Sequence, residues 1–145
     1  MSSSLPIDSL PPDSLMRDPA GWDAVVVGAG AAGLLGAAVA AERGRRTLLL
    51  EKNARPGIKI LMSGGTRCNL TQSTDARGII AAYGPSGRFL RAALGRLDPD
   101  GLVALVESAG VPTKIESTGK IFPASNKAED ILRVFVQRLQ ESGAD

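Results

Sequence analysis

Histidine is absent from the 145-residue sequence. That removes the Ser-His-Asp and Cys-His triads, His metal sites and His general bases from within this chain. Cysteine occurs once, as Cys68. An internal disulfide and a multi-Cys zinc site are therefore excluded, and no metal site is expected. Nothing points to an oxidising compartment, and the expected location is the cytoplasm. Aromatic residues number five: Trp22, Tyr83, Phe89, Phe122 and Phe135. That is few for a nucleic-acid stacking platform. The basic residues are spread along the chain without a dense block, and Tyr83, Arg88 and Arg91 read as helix-face residues. No nucleic-acid partner is expected. No apolar run reaches the ~20 residues of a membrane span, so no membrane partner is expected either. The longest such run, 29–41, reads as a buried helix.

What the chain has in excess is glycine, 17 residues of 145, which calls for tight turns or close backbone approach. Residues 1–21 are rich in Ser, Pro and Asp. They lack the basic start and apolar centre of a secretory leader and read as a disordered tail. Organised sequence begins at Trp22, so residues 22–145 are read as one domain. Ala24-Val25-Val26-Val27 suits a buried parallel strand. A Gly-rich turn follows, then an Ala-rich helix to about Arg43 with Gly44 as its stop. Thr47-Leu48-Leu49-Leu50 is a second strand ending at Glu51. These make a βαβ unit whose strands should be parallel and adjacent.

Residues 52–75 read as a long extended connection, of a length that is functional or disordered in compact domains. Beyond them the chain should be mostly helical. Phe89, Leu90, Ala93, Leu94 and Leu97 recur at helical spacing. Asp98-Pro99 reads as an N-cap followed by Pro at the first helical position, and Gly110 ends that helix. Thr113–Phe122 alternates around a Ser117-Thr118-Gly119 turn, as in a small hairpin. Asn126 with Glu129 resembles a capping box. The last helix places Ile131, Leu132, Phe135, Val136 and Leu139 on one stripe, and Gly143 closes it.

Two constellations carry chemistry. Gly28-Ala29-Gly30-Ala31-Ala32-Gly33 matches G-x-G-x-x-G between a strand and a helix, the context a dinucleotide turn requires. Gly28 permits the turn, Gly30 the approach of a pyrophosphate, and Gly33 the packing of helix on strand. Glu51 lies 18 residues after Gly33, where an acid accepts hydrogen bonds from an adenosine ribose. It would repel a 2′-phosphate, which favours FAD or NAD over NADP. The second constellation, Gly57 to Thr71, reads G-I-K-I-L-M-S-G-G-T-R-C-N-L-T.

This stretch resembles the BaiN/YhiN-type bacterial flavoproteins, whose pattern is an E-K strand end followed by G-x-K-x-x-x-S-G-G-G-R-C-N-L-T. Glu116–Pro123 (E-S-T-G-K-I-F-P) is similar to the family's E-x-x-G-R-x-F-P, and Ser125-Asn126-Lys127-Ala128 to its S-x-K-A. Thr66 replaces a third Gly, Ile58 a common Arg and Lys120 an Arg. If that third Gly has positive φ, Thr66 is strained. The resemblance implies a Rossmann-like FAD-binding domain and an oxidoreductase of unknown substrate. NAD(P)H is then a possible electron donor. It carries over Gly28, Gly30, Ala31, Ala32, Gly33, Glu51 and Lys52 to the adenosine and pyrophosphate side. Lys59, Ser63, Gly64, Gly65, Arg67, Cys68 and Asn69 carry over to the ribityl and flavin side. On its own chemistry, Cys68 reads as a buried packing residue, because no partner Cys or activating His stands near it. The resemblance also implies a much longer chain, so this one reads as an N-terminal portion. An NAD-binding Rossmann domain of another enzyme and a non-catalytic remnant stay open as alternatives.

Overall fold

A computed structural model describes residues 21–145. The expected tail at 1–21 thus lies almost wholly outside the described residues. Strand β1 (Ala24–Val27) leads through the Gly-rich turn into helix α1 (Ala31–Glu42), and β2 (Thr47–Leu50) follows. β1 and β2 pair in parallel, Ala24 opposite Thr47 through Val27 opposite Leu50. Gly44, at φ 75°, ends the turn after α1. The βαβ unit stands as the apolar runs predict.

The connection after β2 differs from the extended loop expected at 52–75. Gly57 takes a left-handed conformation, and helix α2 (Ile58–Thr66) begins there. The helix is broken at Ser63, Gly64 and Gly65. Its apolar Ile58-Lys59-Ile60-Leu61-Met62 start is short, and the Gly pair hid it as a helix signal. β3 (Thr71–Gln72) follows, a strand too short for period-2 alternation to reveal.

A helical group comes next: α3 (Ala76–Ala82), a 3-10 helix (Gly84–Leu90) and α4 (Arg91–Leu94). The single helix expected through Phe89 and Leu97 is therefore replaced. Phe89 is 88% exposed, so it belongs to no apolar stripe. α5 (Pro99–Ser108) begins as read, with Asp98 Oδ1 accepting from the Gly101 amide at 2.8 Å. β4 (Thr113–Ile115) and β5 (Lys120–Pro123) form the hairpin. β3 joins it on the other side, giving an antiparallel sheet of order β3-β5-β4.

Helix α6 (Ala128–Ser142) closes the chain, with Gly143 left-handed at its end. Its start departs from the capping box. Lys127 is the N-cap and no side chain caps it, while Asn126 itself is left-handed at φ 58°. The Ser125 hydroxyl donates to Asp130 Oδ2 instead. The core joins Leu34 of α1, Ile60 of α2, Val106 of α5 and Ile131 and Phe135 of α6, with Cys68 among them. α1 and α6 pack together, and Arg138 of α6 forms a two-pronged ion pair with Glu42 of α1. On the far edge of β2, Asp145 donates to the Thr47 carbonyl and accepts from the Leu49 amide, the pattern of a parallel bridge.

Candidate functional site

The Gly-rich turn is built by three different demands. Gly28 has φ 97°, a region that disfavours any other residue, and its amide donates to the Leu50 carbonyl at 2.7 Å. Gly33 is fixed by contact: a Cβ there would stand 1.9 Å from the Gly28 carbonyl oxygen. At Gly30, by contrast, a Cβ would meet nothing within 4 Å. Gly30 caps α1 in an extended conformation with no side-chain hydrogen bond to the first turn. The amides of that turn are thus left for an outside acceptor, at the positive end of the helix dipole.

Glu51 reaches back to this turn. Its Oε2 accepts from the Ala29 amide at 2.8 Å, and Oε1 accepts from the backbone and side chain of Asn53. Those hydrogen bonds, led by the Asn53 amide and then Ala29, hold the carboxyl below the usual carboxylate range. The charged form is the one present at neutral pH, aimed at the mouth of the Gly turn. The Gly57 amide donates to the Ala29 carbonyl at 2.8 Å, so the segment after β2 is pinned to the same turn.

From there a cavity of about 380 Å³ opens. Ala31 and Ala32 of α1 form its near wall. Lys59, Ser63 and Asn69 supply its polar groups, and Cys68 lies between them. Leu35, Ile60, Leu70, Leu97, Leu102, Ile131 and Phe135 make the rest apolar. The structure thus gathers Ala31, Ala32, Lys59, Ser63, Cys68 and Asn69 on one cavity, whereas Gly28, Gly30, Gly33 and Glu51 belong to the turn before α1 and line none of it. Lys52 is exposed and lies off the lining.

The loop that carries Ser63 to Asn69 has an unusual backbone. Gly64, Gly65 and Thr66 have φ of 57°, 66° and 67°, and Cys68 has 61°. The expected strain at Thr66 is therefore present. At Gly64 a Cβ would press on the Asn69 amide and the Phe122 ring, each 2.8 Å away. Gly65 has open space around it. Arg67 does not face the cavity. Its guanidinium stacks over Phe122 at 4.1 Å from the ring centre and pairs with Glu116. Glu116 and Phe122 are the residues that single-residue reasoning missed. Their motif was visible, but nothing local marks a contact 49 positions away. Cys68 is buried, and burial pushes its thiol up from the ordinary value. That agrees with packing and opposes a reactive thiolate.

A strand–Gly turn–helix–strand unit with an acid at the end of the second strand defines a dinucleotide-binding Rossmann domain. The comparisons give the family. The HI0933-like protein Rossmann domain matches residues 22–145, and the chain belongs to that family, which is the flavoprotein family its motifs resemble. It is 35% identical over 120 residues to a protein of Escherichia coli named ribosomal RNA dihydrouridine synthase. It is 31% identical, again over 120 residues, to one of the same name from Haemophilus influenzae. Each match covers 83% of this chain, which spans only 29% of either relative. In fold it is similar to Thermovibrio ammonificans THI4, with a TM-score of 0.52 and 16% identity over 85% of this chain and 36% of that one. No helix of the described residues is long and apolar enough to cross a membrane. They hold no cluster of three or more His, Cys, Asp or Glu suited to a metal ion.

Proposed function

We propose that this chain is the FAD-binding portion of a flavin-dependent oxidoreductase. The observation that carries the reading is the continuity of the site. The Glu51 carboxylate bonded to the Ala29 amide, the first turn of α1 without a side-chain cap after Gly30 and a largely apolar cavity lined from Ala31 onward are neighbours along the turn and helix. Glu51 orients the adenosine, and the first turn of α1 receives the pyrophosphate. Lys59, Ser63 and Asn69 offer polar contacts to the far end. Leu35, Leu70 and Phe135 exclude water around it. Bound and reduced, for instance by NAD(P)H, FAD supplies a hydride to an acceptor.

The relatives' names favour one acceptor class, the uracil base of ribosomal RNA. Reduction of its C5=C6 double bond takes up one hydride and one proton. An NAD-binding domain of another enzyme is the second reading; the S-G-G-T-R-C-N loop and the large apolar cavity favour FAD over it.

The test is a titration of the chain with FAD, NAD and NADP, followed by flavin fluorescence. FAD should bind more tightly than NAD, and NADP least. Glu51→Ala removes a charge-assisted hydrogen bond to the ribose, so FAD affinity should fall roughly ten- to a hundred-fold. Unchanged affinity in Glu51→Ala would remove the adenosine assignment.

A further inference from the structure

One stretch of the chain combines exposed arginines with exposed aromatic rings. Residues 76–97 contain Arg77, Arg88, Arg91 and Arg96 and no acidic residue. Asp75 and Asp98 bound this stretch, each engaged as a helix N-cap. Arg77 lies in α3, Arg88 in the 3-10 helix and Arg91 in α4, and Arg96 follows two residues after α4 ends. All four are exposed, and none forms an ion pair with another described residue. Arg138, Arg67 and Arg133 are paired, with Glu42, Glu116 and Asp130 respectively.

The same group holds the most exposed aromatic rings. Phe89 is 88% exposed and Tyr83 63%. Its aliphatic residues Ile79, Ile80, Leu90 and Leu94 are half-buried. So the surface offers rings and guanidiniums and no broad aliphatic face of the kind that enters a membrane. Asp75 caps α3 by accepting from the Gly78 amide at 2.8 Å. Gly87 lies against the Ile80 carbonyl, where a Cβ would approach to 1.9 Å. Leu97, one residue past Arg96, lines the cavity of the candidate site.

We infer that residues 76–96 form a docking platform for RNA. Arg77, Arg88, Arg91 and Arg96 neutralise phosphates, while Phe89 and Tyr83 stack on unpaired bases. The chemistry recognised is a single-stranded polyanion with exposed base faces. The platform ends at the cavity wall, so an RNA held there presents its bases beside the proposed flavin site. This inference rests on the RNA substrate class proposed above.

The experiment is fluorescence anisotropy of the whole chain with a labelled RNA hairpin bearing an unpaired uridine loop, over a salt series. The variant R77Q/R88Q/R91Q/R96Q should bind at least about tenfold more weakly, with a shallower salt dependence. Phe89→Ala should lose about tenfold, and Phe89→Trp should keep the affinity. The control R43Q/R45Q/K120Q/K127Q removes as much charge from other exposed positions and should bind as the parent does. Equal loss in that control overturns the platform, as does undiminished binding by the four-arginine variant. Platform-dependent binding to anionic phospholipid vesicles in preference to RNA also overturns it. FAD titration of the same variants separates the two proposals. RNA binding that depends on the platform, in a chain that binds no FAD, supports the platform and removes the flavin reading. FAD binding without RNA binding removes the platform alone.

Discussion

Thr66 shows how a single residue can be read from sequence, strained and still tolerated. A β-branched residue at φ 67° crowds its Cβ against the backbone, at a cost of about 1–2 kcal/mol. Its hydroxyl donates to the Gly65 carbonyl at 2.6 Å, and it touches no core. Thr66→Gly should therefore stabilise the chain by about 1 kcal/mol, part of the relief being offset by the freedom Gly adds to the unfolded state. The check is a urea unfolding midpoint that rises while the slope stays the same. The strain was legible because Thr66 stands where the family pattern has a third Gly, the residue a positive φ favours. Arg67 was not legible in the same way. Its charge suggested a phosphate or flavin partner, but Glu116 and Phe122 take it up instead, and only the tertiary fold brings them near.

At the scale of elements, what repeats was readable and what punctuates was not. β1, α1 and β2 follow from apolar runs flanking G-A-G-A-A-G, and α5 follows from Asp98-Pro99. α2 escaped because its apolar start is five residues long before Ser63, Gly64 and Gly65 break the helix. β3 escaped because two residues carry no period. The start of α6 was misassigned between neighbours: Asn126 has the side chain for a cap but sits left-handed, and Ser125 holds Asp130 instead. That bond is the leading cause of a depressed Asp130 carboxyl. Ser125→Ala should cost about 0.5–1 kcal/mol, discounted for the exposure of the pair. Asn126→Gly should be neutral within about 0.5 kcal/mol, since Gly adopts that φ freely. Thermal unfolding of the two variants distinguishes them, and a larger loss at Asn126 would restore the capping box.

For the molecule as a whole, the parallel pair β1–β2 has one covered face and one open one. α1 packs against both strands, and α6 lies on α1. On the open face Val27 is 82% exposed, and Val25 and Leu50 are about half exposed. The outer edge of β1 has no strand partner among the described residues. Apolar side chains beside an unpaired edge favour association. Light scattering of the 145-residue chain should show mass rising with concentration, and V25T/V27T should lower it. A monomer at all concentrations would show that the open face is benign.

The small sheet ties the chain at two places, Thr71–Gln72 and Lys120–Ile121, with everything from Ser73 to Gly119 spanning between them. The β3–β5 register holds Phe122 against Gly64 and under Arg67, and a slip of one residue would turn those side chains to the opposite face. The arginine-bearing helical group is part of that tethered span yet lies outside the ladder itself. Residues gained or lost within it are absorbed as loop length, at a slowly growing entropic cost, without shifting the register. Such an arrangement lets a change of length in the outer surface leave the strand pairing beneath, and with it the Ser63–Asn69 side of the cavity wall, in place.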